Sequence, residues 1–85
     1  MQHYSFYPKN VCSTKIDLDI EDGVVHNIVY TDGCNGNLKA LGALAEGMTV
    51  DEVIRRLSGI RCGGNDTSCS DQLARALRSL RERQD

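Results

Sequence analysis

From residue 15 to residue 21, apolar and polar side chains alternate without a break. Ile16, Leu18 and Ile20 fall on one side, and Lys15, Asp17, Asp19 and Glu21 on the other. Successive side chains of a strand point to opposite faces, so this run predicts a strand with one face buried. Asp22-Gly23 follows, a dipeptide suited to a tight hairpin turn. Val24 to Thr31 then forms the returning strand of a hairpin spanning 12–31. Two registers fit. A three-residue loop ending in Gly23 pairs Ile20 with Val24 and Ile16 with Ile28, and a two-residue loop pairs Ile20 with Val25 and Ile16 with Val29. The first is preferred, because it sets Leu18 opposite His26 rather than Asn27. Upstream, Tyr4 and Phe6 alternate with polar neighbours, as in a short edge strand that Pro8 would end.

Beyond Thr31 the period changes. Leu38, Leu41 and Ala45 recur at helical spacing, and Gly47 stands where a glycine commonly closes a helix. Thr49-Val50-Asp51-Glu52 has the form of a capping box, with Thr49 as N-cap and Glu52 reaching back. Val50, Val53, Ile54 and Leu57 then make one face of a second helix, closed by Gly59. A last helix is predicted from about Ser70 to Arg81, with Leu73, Ala76, Leu77 and Leu80 inward and Arg75, Arg78, Arg81 and Arg83 outward. Together these elements predict an α+β fold: a small antiparallel sheet of two or three strands with three helices packed on one face, in a single domain over residues 1–85. A core with one Phe and no Trp is thin for such a chain, and Leu44 is left over on the first helix. Small cores of this kind are commonly reinforced by a metal, a disulfide or a partner, so a homodimer or a protein partner is expected.

Ten Lys and Arg against twelve Asp and Glu give a net charge of −2. No broad basic field exists to hold nucleic acid or an anionic membrane. No run approaches the roughly 18 apolar residues of a membrane span. The start has no cationic head followed by an apolar stretch, so a cytoplasmic location is expected. In that compartment four cysteines point to metal or redox chemistry more than to disulfides, for which three pairings would exist. Cys12 lies opposite Asp32 in one hairpin register and Gly33 in the other, so it meets Cys34 at the open end of the hairpin in both. Cys34 and Cys69 each stand where a helix begins, beside exposed N–H groups and the positive end of the helix dipole, an environment that favours a thiolate. Cys62 lies in a loop with two adjacent glycines, Gly63 and Gly64. Cys12, Cys34, Cys62 and Cys69 are therefore the candidate metal ligands, although the chain has no Cys-x-x-Cys knuckle. Catalysis has weaker candidates. His3 is near the N-terminus, His26 lies toward the other end of the hairpin, and no Gly-Lys-Ser/Thr follows the glycines as a phosphate loop requires. Asp32 and Asp66 are most simply turn formers.

Thr67-Ser68-Cys69-Ser70-Asp71-Gln72-Leu73-Ala74 resembles the signature of the TSCPD domain family, with serine where the motif has proline. Gly33-Cys34-Asn35-Gly36-Asn37 and Cys62-Gly63 resemble the same family. Short stand-alone members of that family have no assigned role; taken with the four cysteines, the expectation is a metal-binding module of this type holding zinc or an iron–sulfur centre. The resemblance also implies an association with ribonucleotide reductases, to which some members are attached, so an accessory or regulatory protein for that enzyme is the alternative. A chain of 85 residues cannot itself be a reductase. A thiol or sulfur carrier using Cys34 or Cys69 is a further alternative. More distantly, the order strand, turn, strand, Gly-Cys-x-Gly, helix is similar to iron–sulfur scaffold proteins of the IscU/NifU type. Thr14 departs from that pattern, which has aspartate two residues after its first cysteine, and Cys62 is additional. The Leu-Pro-Pro-Val-Lys chaperone-binding stretch of those scaffolds is missing as well, and these changes together imply a closed, permanently held site rather than transient cluster assembly.

Overall fold

The computed structural model describes residues 1–33 and 35–84. It is an α+β fold in the order β1 (Gln2–Phe6), β2 (Lys15–Glu21), β3 (Val24–Thr31), α1 (Asn35–Ala45), α2 (Val50–Leu57) and α3 (Cys69–Gln84). The three strands form one antiparallel sheet in the order β1-β2-β3. The expected edge strand is β1, and α3 is longer at both ends than its apolar period alone predicts.

The hairpin turn corrects the preferred register. Asp22 and Gly23 have φ of 54° and 75°, the pair of left-handed conformations that a two-residue turn needs to match strand twist. Ile20 therefore pairs with Val25 and Asp19 with His26. The ladder then shifts, and Asp17 pairs with Val29 and Ile16 with Tyr30, one residue beyond the two-residue-loop register and two beyond the preferred one. Asn27 takes up the extra residue as a bulge, at φ 56°. Asparagine tolerates this left-handed conformation better than most residues. It is held on both sides, its side-chain amide donating to Asp19 at 3.0 Å and its backbone N–H to Glu46 at 2.8 Å. A bulge reverses which side chains face inward. Ile28 and Tyr30 turn toward the core, and Val29 is left 57% exposed.

The inner sheet face carries Ile16, Leu18 and Val25, all fully buried, and packs against Val53 and Ile54 of α2 and Leu73, Leu77 and Leu80 of α3. Ile20 is half-buried beside this cluster rather than fully enclosed. Ala45 joins from α1, which approaches β3 closely at Gly42, where a β-carbon would lie 2.9 Å from the Ile28 carbonyl oxygen. Leu44 is 73% exposed. After α1 the chain runs along β3 at the hairpin turn. Gly47 N–H donates to Val25 O, Val25 N–H to Met48 O and Val50 N–H to Gly23 O, at 2.8–2.9 Å. This segment closes part of the outer edge of the sheet. Thr49 caps α2 by accepting from Glu52 N–H at 3.1 Å. The Glu52 side chain does not reach back as a capping box would; it binds Arg55 and Arg56 instead. No helix among the described residues is long and apolar enough to cross a membrane.

Candidate functional site

The segment Thr67–Asp71 builds the start of α3, and each polar residue in it has a task. Ser68 is the N-cap, its Oγ accepting from Asp71 N–H at 3.0 Å. The same hydroxyl donates to the Ile60 carbonyl at 2.6 Å, tying the preceding loop to the helix start. Asp71 sits where a capping box has its acidic residue, yet its carboxylate turns away from the N-cap. It accepts from Thr67 Oγ at 2.6 Å and from Gly59 N–H at 2.7 Å, and it pairs with Arg75 at 2.9 Å. Asp71 is 3% exposed. Burial pushes its carboxyl upward, but the Thr67 and Gly59 hydrogen bonds and the Arg75 guanidinium outweigh that, and the group lies below the ordinary carboxylate value. The result is a rigid platform that presents Cys69 as the first residue of α3.

The mouth of the hairpin meets this platform. Beyond the strands, Thr14 N–H still donates to Thr31 O at 2.9 Å, and Thr14 Oγ donates to Asp32 at 2.8 Å. The zipped segment carries Cys12 and Ser13 onto Cys69. Cys12 Sγ lies 3.9 Å from Cys69 Sγ, and the Ser13 hydroxyl lies 3.0 Å from the same sulfur. Ser13 is buried, Cys69 half-buried and Cys12 exposed. Tyr30, turned inward by the Asn27 bulge, donates its hydroxyl to the Cys69 carbonyl at 2.9 Å. Burial, and to a lesser degree the charge of Cys69, push the Tyr30 phenol upward, so it remains a donor. Gly33 lies beside Cys12. At φ 99° any side chain would be strained, and a β-carbon built there would crowd Leu38 Cδ1 at 2.9 Å and Cys12 Sγ at 3.2 Å.

Of the four expected ligands, the structure brings Cys12 and Cys69 together. Cys34 lies outside the described residues. Cys62 is exposed in its loop, where its N–H donates to the Thr67 carbonyl at 3.2 Å and its carbonyl accepts from Asn65 N–H at 3.0 Å. Among the described residues, no group of three or more His, Cys, Asp and Glu side chains is arranged to hold a metal ion. His3 lies on the outer sheet face between Asp17 and Asp19, and His26 pairs with Glu46, so neither histidine serves the thiols. Sequence reasoning overlooked Ser13, Tyr30 and the role of Asp71. The Ser68-x-x-Asp71 spacing was a legible cue for Asp71, whereas Ser13 and Tyr30 carry no signal outside the tertiary structure.

A three-stranded antiparallel sheet whose hairpin mouth delivers a thiol to the capped start of a C-terminal helix defines a small α+β domain with a paired-cysteine site. The chain belongs to the TSCPD domain family, whose family model matches residues 1–81. No curated protein and no solved structure matches the chain significantly.

Proposed function

We propose that this domain is a non-catalytic metal-binding module of the cytoplasm, holding zinc or an iron–sulfur centre on Cys12, Cys34 and Cys69, with Cys62 as the fourth ligand. The separation of Cys12 and Cys69 carries this reading. Tetrahedral zinc with Zn–S bonds of about 2.3 Å sets neighbouring sulfurs about 3.8 Å apart, and these two sulfurs lie 3.9 Å apart. Adjacent α-carbons are about 3.8 Å apart, so Cys34 is tethered to Gly33, the residue that packs against Cys12 Sγ. Cys62 belongs to a loop tied to the helix start by Ser68 and Thr67, and it would supply the fourth thiolate. A bound metal would supply a structural crosslink between the hairpin and α3. The surrounding residues hold Cys69 in place: Ser13 lies against its sulfur, Tyr30 fixes its backbone, and Asp71 fixes the helix start.

The test is metal analysis of anaerobically purified protein. Near-stoichiometric zinc in colourless protein, or iron and sulfide with charge-transfer absorption, is the expected result. Cys34→Ser and Cys69→Ser should each abolish metal retention and lower the thermal midpoint, because ligand loss removes binding energy from the folded state. Full metal content in both variants would refute the site.

A further inference from the structure

We infer that Cys12 and Cys69 are a reversible dithiol–disulfide pair with an assigned order of reaction, Cys12 attacking first and Cys69 resolving. The disulfide stands on the geometry of the two thiols alone; its consequence for metal rests on the reading above. Closing the pair requires the sulfurs to move from 3.9 Å to a bond of about 2.05 Å. Cys12 is the partner placed to make that movement by turning its side chain, since it is exposed and lies outside the strands, between β1 and β2. Cys69 is fixed by the first turn of α3 and half-buried beside Ser13.

The co-reactant is a low-molecular-weight disulfide such as oxidised glutathione. The Cys12 thiolate attacks one of its sulfurs. A mixed disulfide forms on Cys12, the small disulfide bond breaks, and one small thiolate leaves. Cys69, as its thiolate, then attacks the Cys12 sulfur. The Cys12–Cys69 bond forms, the mixed disulfide breaks, and the second small thiolate leaves with the proton that Cys69 gave up. Two protein thiols have been oxidised by two electrons, and one small disulfide has become two small thiols. Two metal ligands are lost in the same event, so an oxidised domain cannot hold a metal that needs both.

The experiment treats the reduced, metal-free chain with oxidised glutathione, alkylates the remaining thiols and maps the peptides by mass spectrometry. Wild-type protein and Cys62→Ser should both give one internal bridge, between Cys12 and Cys69, that dithiothreitol reverses. Cys69→Ser should accumulate a stable glutathione adduct on Cys12, and Cys12→Ser should leave Cys69 unmodified over the same period. A bridge from Cys34 to either partner, or an adduct on wild-type Cys12 with no internal bridge, would overturn the pairing. Zinc binding is then compared between reduced and oxidised protein. Equal binding in both would overturn the coupling, whereas no binding even in reduced protein would defeat the metal reading alone and leave the mapped bridge standing.

Discussion

Asp71 is the residue on which most of the helix start depends. Its carboxylate satisfies the Thr67 hydroxyl and the Gly59 N–H at once, in a place where water has little access. Asp71→Ala leaves those donors without a partner, and a cost of about 2–4 kcal/mol is expected in urea denaturation. His3 represents the opposite case, an exposed residue whose charge is tuned across strands. Asp19 and then Asp17 accept from its ring and hold its pKa above the ordinary 6.5. A histidine raised in the folded state contributes stability that is fully present below 6.5 and is lost as pH rises through the higher folded value. A titration of the His3 ring followed by NMR should give a midpoint above 6.5, moving down toward 6.5 in Asp19→Asn. A midpoint at or below the ordinary value in the unaltered protein would show that the two carboxylates do not hold the ring.

At the scale of elements, the strands, the turn and the three helices were legible because each rests on a local period or a local dipeptide. The register was not. Asn27 takes its left-handed conformation because Asp19 and Glu46 reward it, and Glu46 belongs to the segment just after α1, 19 residues further on. No pattern in the strand itself records that contact. The position can be tested. Asn27→Val places a β-branched side chain at φ 56°, which should cost on the order of 1–2 kcal/mol, while Asn27→Gly keeps the conformation and should cost less. If the valine variant were as stable as the wild type, the bulge would not be the constraint described above.

Across the whole molecule, the convergence of hairpin mouth and last helix was legible in outline, since Leu73, Leu77 and Leu80 can be buried only if α3 lies across the sheet. The finer environment of the site was not, because Ser13 and Tyr30 reach Cys69 from residues 56 and 39 positions away in sequence. Leu44 is 73% exposed on α1, and it is the residue on which the proposed association with a second copy can be tested. Sedimentation velocity should show concentration-dependent association that Leu44→Glu weakens. A monomer at all concentrations, with unchanged behaviour in the variant, would remove the homodimer from consideration.

Cys12 and Cys69 are separated by 57 positions in the chain. At a synthesis rate of about 5–20 residues per second, roughly 3 to 11 seconds pass between the addition of one and the addition of the other. Throughout that interval Cys12 exists while its counterpart is not yet made. The pairing is therefore a late event in the life of each molecule, possible only once α3 has been released and has docked. Whatever occupies the two sulfurs thereby distinguishes copies in which α3 has docked from those in which it has not, and a thiol-trapping reagent applied to stalled chains should label Cys12 until α3 clears the exit tunnel and then slow sharply.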